Sequence, residues 1–251
     1  LNGFIELFSL MMKDDEKSQK EKLHSEYLSF SYSRMMFQIS AIITQYGGEI
    51  IKCNNGYYTV IWEYSAKDEE EANVVLTAIQ CAINIMKKIN GQEISRGIKL
   101  QISIGIGIGE CSFSVIGGIN QRSDYVCYGK AVTEAEKGMY YNEVESSGGI
   151  VISKVLYEKV PKEMKRVVID EMFSQNDYVK VNYEESANII YKTKLKKYHS
   201  KSVGKNIPDN INNKLLALKS FIPSAVIQYI DTNYDNSLKE IRIVTIMTIK
   251  I

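Results

Sequence analysis

Residues 99–109 read KLQISIGIGIG, and the strict alternation in this stretch decides the class of fold. Successive side chains of a strand point to opposite sides, so Ile102, Ile104, Ile106 and Ile108 share one face and Ser103, Gly105, Gly107 and Gly109 the other. A face of bare glycines lets another backbone or a ligand come close. The spacing is not the GxGxxG of a dinucleotide fold and has no strand–turn–helix context, so a phosphate cradle is not indicated.

The flanking sequence alternates helices with strands. On the N-terminal side, residues 3–10 (GFIELFSL) read as a short buried strand, and residues 13–22 are polar and charged. Leu28, Tyr32, Met35, Ile39, Ile42 and Tyr46 then recur at spacings of four and three, which predicts an amphipathic helix ended by Gly47 and Gly48. Residues 49–53 and 57–62 are strand-like runs around Asn54-Asn55-Gly56, a strong hairpin signal. Residues 67–89 predict a second helix. Its first turn is acidic (Asp68, Glu69, Glu70, Glu71), which suits the helix dipole, and its stripe is Val75, Ile79, Ala82, Met86 and Ile89. Met35, Met36, Cys53 and Trp62 are expected in the core.

On the C-terminal side, residues 111–116 are placed to pair back on the isoleucine–glycine strand. A strand over 124–128, a helix from 130 to about 141 and a strand over 149–153 follow. Shorter strand candidates lie at 166–170, 178–182 and 188–191. The expected class is α+β: a central, mainly antiparallel sheet with the helices near 18–46 and 68–89 on one face. Six lysines and no acid between 192 and 205 read as a solvated linker, with a phosphate or tubulin-like acidic partner as the sharper alternative. Residues 210–230 predict a helix containing Pro223. Residues 241–251 (IRIVTIMTIKI) read as a strand that stops without a turn, which suggests a piece of a longer polypeptide.

Composition narrows the function classes. The chain has 251 residues, a net charge of +1, 45% hydrophobic and 24% charged residues, as in an ordinary globular protein with no general attraction to nucleic acid. It has no spanning run and no signal segment, so a soluble intracellular protein is expected, cytoplasmic or attached to a cytoskeletal or ciliary assembly. Cys53, Cys81, Cys111 and Cys127 form no CxxC pair and lie far from His24 and His199. Free thiols are expected rather than a zinc site or a disulfide framework.

Taken in order, the strand FIEL, the long helix, GGEIIK, the hairpin, the second helix, KLQISIGIGIGE, YGKAV with its helix, and GGIVIS resemble the catalytic domain of class III nucleotidyl cyclases. The likeness is strongest to the first cyclase domain of the soluble, bicarbonate-regulated adenylyl cyclases. It implies a ferredoxin-like βαββαβ core and a cyclase-homology domain over residues 1–190. A basic linker would follow at 191–209, and residues 210–251 would form the helix and first strand of a second, truncated cyclase-like domain.

The chemistry the resemblance implies is attack of a ribose 3′ oxygen on the α-phosphate of ATP or GTP, with two divalent ions held by two carboxylates. One metal position matches Glu6. The second matches Gly56, which has no side chain. The ribose-orienting Asn and phosphate-binding Arg of the family match Thr133 and Lys137, and lysine lacks the bidentate fork. The two purine-pocket positions match Lys52 and Val126. Glu136 stands where an anion-binding Arg would serve bicarbonate, and Lys250 falls where the second domain would carry a metal ligand.

The resemblance therefore implies a degenerate cyclase half that docks on a second cyclase domain of the same polypeptide, within cyclic nucleotide signalling. No metal is expected in this domain, and Mg²⁺ or Mn²⁺ only if it is active. A working adenylate or guanylate cyclase and a purely structural interaction module are the alternatives. The family also implies that Gly105, Gly107, Gly109 and residues 125–137 face the partner domain.

Overall fold

The computed structural model describes residues 18–54, 56–64, 68–95, 98–117, 122–144, 148–162, 165, 169–172, 177–183, 215, 218–222 and 227. Glu6, Lys250, the strand expectations at 3–10, 188–191 and 241–251, and the domain boundaries near 190 and 210 lie outside these residues.

The first helix, α1 (Ser18–Gln45), buries Met35, Ile39 and Ile42 of the predicted stripe, with Ile43 beside them, while Tyr32 and Tyr46 are partly buried. It ends in a Schellman motif. Gly47 takes a φ of +69°, the Gly48 amide donates to the Ile43 carbonyl at 2.9 Å, and the Gly47 amide donates to Thr44 at 3.0 Å. Strands β1 (Glu49–Asn54) and β2 (Tyr57–Ile61) form the expected antiparallel hairpin. A register shift between Ile50 and Lys52 breaks the alternation of β1. Cys53, opposite Tyr58, is exposed, which corrects its expected place in the core. Met35 is buried, while Met36 and Trp62 pack on the rim of the core. The Trp62 indole donates to the Tyr46 carbonyl at 2.9 Å.

Helix α2 (Asp68–Ile89) buries its whole predicted stripe, from Val75 to Ile89. The short strands β3 (Glu93–Ser95) and β4 (Ile98–Lys99) pair before β5 (Ser103–Ile106). The 99–109 stretch is thus shared between two strands rather than being one. Residues 111–116 do not pair back on β5. They belong to β6 (Cys111–Gly117), which pairs antiparallel with β7 (Ser123–Gly129) as a separate ribbon. Helix α3 (Lys130–Val144), longer than expected, leads to β8 (Gly149–Ser153) and α4 (Lys154–Lys159). The Ser153 hydroxyl caps α4 by accepting from the Leu156 amide. Strands β9 (Ile169–Met172, displaced from the expected 166–170) and β10 (Tyr178–Val181) complete the described elements.

The central sheet runs β5-β8-β10-β9. Its ladders are antiparallel except β5 with β8, which is parallel in the register Gly105 to Val151 and Ile104 to Ile150. A parallel pair needs a crossover, and here the β6–β7 ribbon and α3 supply it. The fold is α+β.

The two faces of β5 meet different helices. Ile102, Ile104, Ile106 and Ile108 join Ile150 and Ile152 in the core shared with α1 and α2. The glycine face is covered by α3 of the same chain: a Cβ added at Gly105 would lie 1.9 Å from the Ala135 carbonyl oxygen, and one at Gly107 would lie 2.3 Å from that of Ala131. The expectation that Gly105 and Gly107 face a partner domain is corrected accordingly. Ala131, Ala135 and Gly138 recur at spacings of four and three on α3, and a helix backbone can lie this close only where both surfaces lack side chains. Among the described residues no helix is long and apolar enough to cross a membrane.

Candidate functional site

Between the β1–β2 hairpin and β5 lies a cavity of about 1530 Å³ among the described residues. Thr59, Val60 and Ile61 wall it on one side, and Ser103 to Ile106 on the other. Lys52 and Gly56 reach it from the hairpin, and Glu136 and Lys137 from α3. The structure thus brings together two pairs of positions that lie 80 residues or more apart in sequence. Thr133 and Val126 are not among the lining residues. Thr133 is on the exposed side of α3, where its hydroxyl donates to the Gly129 carbonyl at 3.2 Å. Val126 is half-buried on β7 opposite Ser114.

The hairpin is anchored by its own side chains. Tyr58 donates from its hydroxyl to the Met36 sulfur on α1, and burial, then the neighbouring Cys53 and Tyr32, push its phenol well above the usual range. Tyr32 and Cys53 are raised by the same burial. This corner therefore holds its protons at neutral pH. Gly56 sits at the turn with a φ of +81°, a conformation that glycine adopts without steric cost.

Helix α3 is held from both ends of its inner face. Asn142 is fully buried and its Nδ2 donates to the Ile104 carbonyl at 3.2 Å and the Gly149 carbonyl at 3.0 Å, tying the helix to β5 and β8 at once. On the next strand the Tyr178 hydroxyl donates to Glu134 at 3.1 Å. Burial and then the Glu134 charge push this phenol up to about 12. Lys137 is consequently presented to the cavity from a fixed helix. Glu63, Gln101 and Glu110 also line the cavity, and no motif or spacing in the sequence singles them out. The only local signal is the acid that ends the KLQISIGIGIGE run.

A two-ion centre needs several oxygen ligands per ion, and carboxylates to bridge them. Gly56 offers no ligand, and no group of three His, Cys, Asp or Glu side chains converges among the described residues. Glu6 lies outside those residues, and the described donors alone do not make up such a centre.

A second surface adjoins the cavity, which Cys111 and Phe113 also line. The β6–β7 ribbon carries Phe113, Val115 and Tyr125 on one face and Ile116 and Tyr128 on the other, all exposed, with Val115 62% accessible. Phe113 and Tyr125 stack with centroids 5.9 Å apart. At the ribbon tip the Ser123 amide donates to the Ser220 carbonyl at 2.8 Å, and the Arg122 guanidinium donates to Phe221 at 3.2 Å.

Comparison with known proteins gives three kinds of likeness. Human adenylate cyclase type 10 is 23% identical over 150 residues, which are 59% of this chain and 9% of that protein. Among solved structures, the adenylyl cyclase CyaB from P. aeruginosa aligns with a TM-score of 0.44 at 20% identity, over 72% of this chain and 88% of that one. A bacterial light-regulated adenylyl cyclase aligns with the same TM-score at 15% identity, over 70% and 49% of the two chains. Residues 24–182 match the family described as the adenylate and guanylate cyclase catalytic domain. They run from within α1 to the end of β10 and include every element that borders the cavity, and the chain belongs to that family.

Proposed function

We propose that this chain is a degenerate cyclase half, which pairs with a second cyclase domain of the same polypeptide and contributes structure, nucleotide contacts or regulation instead of the metal chemistry. The observation that carries this reading is Gly56: the turn position that corresponds to a metal carboxylate has no side chain, and its backbone is in the region that favours glycine. The neighbouring substitutions agree in direction. The Thr133 hydroxyl is engaged with the Gly129 carbonyl and so is a poor substitute for a ribose-orienting amide. Lys137 keeps a charge but cannot clamp a phosphate with two parallel hydrogen bonds. Val126 offers a purine no polar atom. Lys52 and Lys137 share one cavity, which supports retained contact with the phosphates or base of ATP or GTP.

Pairing is supported by the ribbon. An isolated two-stranded hairpin is marginal in water, and this one bears apolar side chains on both faces. A second cyclase domain would cover it.

The test is to assay the chain, with and without the polypeptide that follows it, with ATP and with GTP under Mg²⁺ and Mn²⁺, alongside Glu6→Ala. The expected result is no cyclic nucleotide above background at the Glu6 site. Turnover that disappears with Glu6→Ala would overturn the proposal and make the domain a working cyclase. Loss of one positioned transition-state donor alone typically costs about 3 kcal/mol, so turnover slowed a hundredfold or more is the most that this set of substitutions would leave.

A further inference from the structure

We infer that Cys111 and Cys127 form a thiol–disulfide exchange site at the root of the β6–β7 ribbon, which closes to an intramolecular disulfide by reaction with a small-molecule disulfide such as glutathione disulfide. The register places them for it. Cys111 is paired with Gly129 and Phe113 with Cys127, so the two cysteines are diagonal neighbours on one face of the ribbon. Gly129, opposite Cys111, lets the two strands run close at this point: a Cβ there would lie 2.4 Å from the Glu110 carbonyl oxygen and 2.8 Å from the Cys111 Cα.

The other two cysteines lack this setting. Cys53 is exposed and Cys81 buried, with the Cys81 thiol pushed up to about 12 by burial, so it is inert in the folded chain. Cys111 and Cys127 are both half-buried, open enough to be reached and close enough to finish the reaction with each other.

In the exchange, the Cys111 sulfur loses its proton and attacks one sulfur of the small disulfide. That S–S bond breaks, leaving a mixed disulfide on Cys111 and one small thiol. Cys127, whose thiol is raised by burial and then by Cys111, loses part of that restraint once Cys111 is capped. Its sulfur gives up its proton and attacks the Cys111 sulfur, and the second small thiol leaves. Two protein thiols are oxidised and one small disulfide is reduced to two thiols.

Geometry sets the character of the product. Diagonal neighbours in an antiparallel pair have Cα atoms roughly 7–8 Å apart, whereas a disulfide accommodates about 4.4–6.8 Å. Closure must draw the strands together by about 1 Å, and a strained bridge of this kind is readily reduced, which is the property of a regulatory rather than a structural disulfide. The bridge would lie two residues before Gly129, where the ribbon passes into α3, and would fix the direction in which the ribbon leaves the domain.

The experiment treats the whole chain carrying Cys53→Ser with glutathione disulfide under native conditions and follows intact mass. The expected product has lost the mass of two hydrogen atoms, exceeds retained glutathione adducts at these cysteines by about tenfold because the second thiol is a diagonal neighbour held at high effective concentration, and reverts on reduction with dithiothreitol. Adding Cys127→Ser should convert it to a stable adduct bearing one glutathione on Cys111. Circular dichroism before and after treatment shows that each variant is folded when it reacts. Retention of glutathione on Cys111 or Cys127 in the parent without loss of two hydrogens, or no reaction at either residue, would overturn the inference.

Discussion

Replacing Gly105 with alanine tests the packing of α3 on the sheet directly. The added Cβ would lie 1.9 Å from the Ala135 carbonyl oxygen and 2.4 Å from the Met139 amide nitrogen. Both obstacles are helix backbone, so no side-chain rotation relieves the clash. Ordinary contact begins near 3.4 Å, and α3 must retreat by about 1.5 Å, a shift on which contacts elsewhere along the interface lose half or more of their dispersion energy. Overpacking typically costs 1–3 kcal/mol. Because the whole helix has to move, we expect about 3 kcal/mol or more, a fall in Tm of roughly 6–12 °C for a chain of this size.

Gly138→Ala is the matched control, since its Cβ would meet only Val151 and Gly105 at 3.4–3.5 Å. A glycine-to-alanine change inside a helix gains about 0.5–1 kcal/mol, so this variant should be as stable as the parent or slightly more so. Thermal unfolding followed by circular dichroism and urea denaturation report both. If Gly105→Ala proved as stable as the parent, α3 would not lie on that glycine, and the glycine face would be free for another occupant.

Asn142→Leu should lower stability by roughly 1–3 kcal/mol, because the Ile104 and Gly149 carbonyls lose their shared donor. Asn142→Asp should be worse, since a carboxylate would face two carbonyl oxygens; urea midpoints at pH 7 with the opposite order would contradict the hydrogen-bond assignment. Glu71 is held below the ordinary carboxyl range by the hydrogen bond from Lys159, at 2.7 Å, and that from Tyr64, against a smaller opposing effect of burial. A depressed carboxyl stabilises the fold fully above its unfolded pKa of 4.5 and loses that contribution as pH falls through the folded value. Lys159→Met should therefore remove part of the acid-side loss between pH 5 and 3, by less than about 1 kcal/mol for so exposed a pair, and urea midpoints across that range check it. Arg122→Ala should release the segment at 220–222 from the ribbon tip. Hydrogen exchange of the Ser123 amide, which donates to Ser220, should speed up about fivefold for a lost bond worth about 1 kcal/mol, and an unchanged rate would show that Arg122 does not hold that contact.

The sequence by itself determined the elements whose periodicity is their own. Met35, Ile39 and Ile42 of α1 and the whole α2 stripe are buried as the three-and-four spacing requires, Gly47-Gly48 ends α1, and the turn at Gly56 makes the β1–β2 hairpin, because each is settled by contacts within a few residues. The family was legible in the order of these segments, and the proposal of a degenerate site rests on the residue types at Gly56, Thr133 and Lys137. Only the tertiary structure decided where the bare face of β5 points. An alternating row shows that something lies close, but the occupant is fixed by α3, whose Ala131, Ala135 and Gly138 match that row from beyond a long ribbon. The same holds for Cys53, which lies opposite Tyr58 beyond a register shift that no local pattern announces and is left exposed. It holds again for β6, which pairs forward with β7 rather than back on β5, since strand pairing depends on which edges are already taken. Lys52 and Lys137 lie 85 residues apart in the chain, and they border one cavity because the β5–β8 crossover brings α3 back across the sheet toward the hairpin.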